Sequence, residues 1–149
     1  MPRMPTIWDA ARRNELQNRL LQLTPETPAR WGRMTAPRMV AHLADSARMA
    51  LGELPVASKN LPIRYTPLKQ LVIYWLPFPK NAPTAPELIS QTSIDFEHER
   101  NAASALLQRL ASPPDGGRPD HPAFGRLSES AWGVLVYRHY DHHLRQFGL

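Results

Sequence analysis

Three of the chain's six histidines stand within five residues near its end, as His139-Tyr140-Asp141-His142-His143. Imidazole is the side chain that both ligates transition metals and moves protons near neutral pH, so this cluster carries the first chemical signal. On a helix of about 100° per residue with Trp132 at zero, Val136 falls near 40°, His143 near 20° and His139 near 340°. Both histidines therefore lie inside an apolar stripe, and His142, near 280°, lies on its flank. Imidazoles at i and i+4 project from successive turns roughly 6 Å apart, which suits neighbouring positions around one ion with nitrogen ligands at about 2.0 to 2.1 Å. Each neutral ring keeps one donor and one acceptor to be satisfied on burial, and a shared metal does this for both. The alternative is a pair of hydrogen-bonded core or rim histidines.

A third ligand must come from another element, and His42 is the best placed. Its helical neighbours Met39, Leu43, Ala47 and Ala50 form an apolar face, with His42 at the edge about 60° from Met39. Asp45 and Ser46, three and four residues on, are either solvated or available to orient a histidine. The spacing is not H-E-x-x-H, because Tyr140 stands where the glutamate base would be, and Asp141 falls about 180° from Trp132. No nucleophile-elbow glycine pattern supports a Ser–His–Asp reading. His98 and His121 read as surface or loop residues, with His121 the one that could border a site.

Composition narrows the classes. With 149 residues, 42% hydrophobic and 21% charged, the chain has enough apolar surface to bury a core, and one domain over 1–149 is expected. No cysteine means no disulfide, thiolate site or cysteine nucleophile, so any metal is held by nitrogen and oxygen. A net charge of +5 is spread over scattered arginines without a basic stripe, so no nucleic-acid partner is expected. The longest apolar run, Leu71–Leu76, is far short of the roughly 20 residues that span a bilayer, and no signal peptide is read at the start. The expectation is a cytoplasmic protein without a membrane partner.

Four segments have helical periodicity and must position these histidines. The spacing predicts helices over about 7–23, 36–52, 93–111 and 129–147, and no strands. Their expected caps include Thr35, Thr92 with Asp95 three residues on, and Ser128; Gly52 and Gly148 are expected stops. Between the second and third lies a crossover over 54–91 that holds seven of the sixteen prolines. Thr66-Pro67 is read there as the start of a short helix ending before Pro77. A crossover of this length permits a bundle in which the second and third helices run parallel.

These segments resemble the DinB-like superfamily of small helical bundles, which includes bacterial thiol-dependent transferases and mycothiol-dependent maleylpyruvate isomerase. The resemblance is carried by Trp31-Gly32-Arg33-Met34 through His42-Leu43 to Gly52, by Pro77–Thr84, by His121–Gly125, and by the ending His142-His143-Leu144-Arg145-Gln146-Phe147-Gly148. It is similar to an uncharacterised bacterial branch. What the resemblance implies is an all-α four-helix bundle with a divalent metal, zinc or nickel, held by His42, His139 and His143. It also implies a homodimer and an unidentified small-molecule substrate. Three neutral histidines leave open positions for a water or a thiolate, so hydrolysis or thiol transfer is the expected chemistry, with a non-catalytic metal- or ligand-binding stress-response module as the alternative. The Tyr74–Pro83 segment is read either as a wall of the pocket or as a strap over one bundle face.

Overall fold

The computed structural model describes residues 3–80 and 94–149. Among them the chain is all-helical, with five helices and no strand: α1 (Ala10–Leu21), α2 (Ala36–Ala50), the short α3 (Leu68–Gln70) running into a π-helical turn (Leu71–Trp75), α4 (Phe96–Leu110) and α5 (Glu129–Gln146). No described helix is long and apolar enough to cross a membrane.

Helix starts are set by short polar side chains that satisfy free backbone N–H groups. Thr35 accepts from the Arg38 N–H and Ser128 from that of Ala131, as their sequence positions predict. Two starts are corrected. Asp9 caps α1 by accepting from the Ala11 N–H, so α1 begins three residues after the apolar periodicity does, and Ile7 enters the core from the preceding turn. Asp95 itself caps α4, accepting from the His98 N–H, so α4 begins at Phe96. The expected cap Thr92 and start Ser93 lie outside the described residues. A carboxylate beside the first free N–H groups gains from the helix dipole as well as from the hydrogen bond, and this is why Asp95 takes the cap.

The core draws on all four long helices, through Leu16 and Leu20 of α1, Met39, Leu43 and Ala47 of α2, Leu107 and Leu110 of α4, and Trp132, Tyr140 and Leu144 of α5. Full burial of each large apolar side chain is worth about 1.5 to 3 kcal/mol before entropy is charged against it. Helix α2 packs most extensively on α4. Alanines at 41, 44, 47 and 50 keep its surface low there, and the Arg48 guanidinium bridges Asp45 of α2 at 2.6 Å to Glu99 of α4 at 3.1 Å. Tyr140 is fully buried and donates its hydroxyl hydrogen bond to the Ala103 carbonyl at 2.9 Å, which fixes α5 against α4.

The crossover follows the expected short helix after Pro67. Ile73, buried against Phe124, Ala131, Val134 and Leu135, anchors it to the other side of α5. Arg138 of α5 donates to the carbonyls of Val72 (2.8 Å), Ile73 and Leu76, which the end of the π-helical turn leaves without partners. One guanidinium thus holds the strap down on α5.

Gly133 lies mid-helix in α5, where glycine ordinarily costs about 0.5 to 1 kcal/mol relative to alanine. Here its missing side chain lets the entering segment approach: the Ile7 N–H donates to the Gly133 carbonyl at 3.2 Å, and the Trp8 indole N–H to that of Glu129 at 2.8 Å. A Cβ at Gly133 would collide with Thr6 Oγ1 and the Trp8 indole. Gly133→Ala should therefore destabilise by about 1 to 3 kcal/mol despite the better helix former. Thermal melts read this as a fall in Tm; a rise would show that the segment yields at no cost.

Candidate metal centre

The structure brings His42, His139 and His143 to one point where α2 meets α5. Their nearest ligand nitrogens all lie within 4.8 Å of one another, making a group that could hold a metal ion. The ring centroids are 4.8 Å apart for His42 and His139, 4.8 Å for His42 and His143, and 4.9 Å for His139 and His143. His42 Nε2 and His139 Nε2 are 2.9 Å apart. That separation is a hydrogen bond between neutral rings, and two nitrogens at about 2.0 to 2.1 Å from one ion also stand close to 3 Å apart. His42 sits deeper than its helical wheel implies: both flanks of α2 are packed, and the ring is buried.

His143 is oriented by a relay. Gln146, one turn on and itself buried, donates its amide N–H to the Trp31 carbonyl at 3.1 Å, so its Oε1 is turned to His143 Nδ1 at 2.8 Å. An acceptor at that position makes His143 Nδ1 the donor and leaves the lone pair on Nε2. This is the arrangement by which metal-binding imidazoles are held in one tautomer and one ring orientation. The i, i+3 spacing alone puts Gln146 beside His143 on α5, but the partner carbonyl comes from a distant loop that only folding brings up.

The chemistry of the donor set fits a metal ion: three imidazoles and, among the described residues, no carboxylate in the group. Among the described residues, His42 Nδ1 is buried without a hydrogen-bond partner, as is Ser46 Oγ one turn on. Asp45 is engaged by Arg48, and Asp141 by Arg19 at 2.8 Å and Arg145 at 3.0 Å, so neither serves as a base beside the rings. His142 stands on the flank of the triad, its ring 5.2 Å from that of His143. His121 accepts at Nδ1 from the Ala123 N–H (3.0 Å) and Phe124 N–H (3.3 Å), with its ring against Trp132 at 5.6 Å. It is a structural turn residue, and burial lowers its own imidazole to about 4. His98 is exposed.

Desolvation governs the electrostatics. Burial lowers the His42 imidazole to about 3, with His143 adding to the effect. Burial also takes His143 to about 4 against the opposing Gln146 bond, and His139 well below its ordinary value. The triad is consequently neutral and able to ligate at physiological pH.

The family model described as "Protein of unknown function (DUF1569)" matches residues 12–148. The chain belongs to this family. No curated protein and no solved structure matches it. The family match spans α1 through α5 and so includes all three histidines of the triad.

The depressed imidazoles give a pH dependence of definite sign. Below about pH 6.5 the unfolded chain takes up protons that the folded triad refuses, so stability is present above that value and is lost as pH falls toward the folded values of about 4 and 3. Metal-free protein should lose on the order of 1 kcal/mol per pH unit for each such ring across this window. Denaturant melts at pH 7.5, 6 and 5 measure it, and identical midpoints would contradict neutral burial.

Proposed function

We propose that this protein is a metal-dependent enzyme with His42, His139 and His143 as the ligands of one divalent ion, zinc or nickel, in a single DinB-like four-helix-bundle domain. The observation that carries the reading is the Gln146 relay, which supplies a partly buried, tautomer-selected imidazole at the point where two other neutral imidazoles converge. A divalent ion held by three neutral ligands keeps its full charge and acts as a Lewis acid toward an oxygen or sulfur nucleophile, so the reaction class is hydrolysis or thiol transfer. The chain's own contribution is to exclude charge from the ligand set, to fix the His143 ring through Gln146, and to wall the site with Trp31 and Phe78, which flank His142 at 5.8 and 5.7 Å. Strap and wall are then the same segment: Ile73 anchors it and Phe78 faces the rim.

A second reading, a non-catalytic metal- or ligand-binding module, is favoured by one observation. Asp45 and Asp141 are held by arginines, and among the described residues no carboxylate joins the three rings. Activity screens with and without metal separate the two. A cytoplasmic homodimer with a small-molecule substrate completes the proposal. The exposed apolar residues Leu68, Leu71 and Trp75 of the crossover offer a face for the second copy.

Elemental analysis of purified protein tests the ligand set. His139→Ala and His143→Ala should each abolish stoichiometric metal while circular dichroism remains helical; unchanged metal content in both refutes the assignment. Gln146→Leu should keep the three ligands and weaken affinity by about 10 to 100-fold, because His143 loses its orienting partner. Chelator competition reads that change, and wild-type affinity in Gln146→Leu would remove the relay from the argument. Metal affinity should also fall at acid pH, since protonated imidazole cannot ligate.

A further inference from the structure

The side of the triad nearest solvent has a composition of its own. His142, half-buried, lies between the rings of Trp31 and Phe78 at 5.8 and 5.7 Å and touches the His143 ring at 5.2 Å. The Lys80 ammonium stands 4.6 Å from the Trp31 ring centroid, and the Arg138 guanidinium 4.5 Å from that of Phe78. Cations on aromatic faces are attracted by the ring quadrupole, which fixes their position without neutralising them.

The charge around this rim is one-sided. Lys80 and Arg138 stand on the two aromatic rings that flank His142, and Asp141, its neighbour in sequence, is shared between Arg19 and Arg145. Arg138 spends its hydrogen bonds on crossover carbonyls but keeps its charge. Lys80 is exposed, and among the described residues its ammonium rests only on the Trp31 face. The crossover is itself basic: Lys59, Arg64, Lys69 and Lys80 stand against one acid, Glu87, which lies outside the described residues. A cation beside low-dielectric aromatic walls focuses a positive potential on this rim.

We propose that this rim is the substrate-recognition half of the centre and that it takes an organic carboxylate, the acid group on Lys80 and the apolar body against Trp31 and Phe78. The proposal rests on the metal-centre reading, in that the triad marks where the reacting end of the ligand lies. Lys80 is here a specificity residue: its charge-assisted hydrogen bond to a carboxylate is available only to an anionic ligand. The aromatic pair makes a bare inorganic anion a poor occupant, because such an anion covers none of the apolar surface.

The test uses the full chain, labelled with nitrogen-15, loaded with zinc and titrated with benzoate while the Trp31 indole N–H resonance is followed. Benzamide, neutral and of the same shape, and inorganic phosphate at matched ionic strength are the comparison probes. Expected is a saturable shift with benzoate, at least about tenfold weaker with benzamide, with phosphate and in Lys80→Gln. Equal affinity for benzoate and benzamide, equal affinity for phosphate, indifference to Lys80→Gln, or no saturation by benzoate overturns the proposal. Zinc analysis of the same samples separates the two readings. Full zinc content with failed benzoate binding removes the rim alone. A wild type that takes up no zinc removes the triad reading, and the rim is then decided by the same titration of the metal-free protein.

Discussion

A buried imidazole nitrogen must find a partner, and three imidazoles placed together must share what partners there are. At the seam of α2 and α5 this constraint is met in different ways. His143 is given a donor role by Gln146, His42 and His139 face each other at 2.9 Å, and His42 Nδ1 has no partner among the described residues. Aliphatic residues at these positions would satisfy the same packing without the unpaired nitrogen. The cluster is costly as a core, and an ion on the Nε2 side would take up the lone pairs that the rings turn toward one another, while His42 Nδ1 stays on the far edge of its ring.

The rest of the fold works to keep α2 and α5 in register at that seam. Neither helix depends on the histidines for its place: α2 is fixed on α4 by alanine packing and the Arg48 bridge, and α5 by Tyr140 and the aliphatic core. On its other side α5 is held by the crossover through Ile73 and Arg138. A site of this kind sits on rigid elements, with its variable wall supplied by a proline-rich strap. The three rings therefore sit on rigid helices, and the strap brings Phe78 to their rim.

Much of this is legible in the sequence, for identifiable reasons. Apolar periodicity and caps give the long helices to within about three residues, because Thr35 and Ser128 satisfy backbone donors wherever a helix begins after them. The errors at Asp9 and Asp95 have different causes: apolar spacing extends past Asp9, whereas the capping-box spacing of Thr92 and Asp95 sets the start of α4 three residues early. The wheel correctly sets His139 and His143 on one face but treats Tyr140 as incidental. Tyr140 is a fully buried core residue, since its hydroxyl reaches the Ala103 carbonyl. No local pattern announces that carbonyl, which lies 37 residues away in the chain.

The sequence by itself determined that there would be helices, that two histidines would share one helical face, and that any ligand would be nitrogen or oxygen, because residue type and a 3.6-residue period are local properties. Only the tertiary structure decided that His42 turns inward rather than to a rim, that Gln146 finds the Trp31 carbonyl, and that Asp45 and Asp141 are taken up by arginines. These depend on which elements approach one another, and partners far apart in the chain meet only when packing has brought their backbones together.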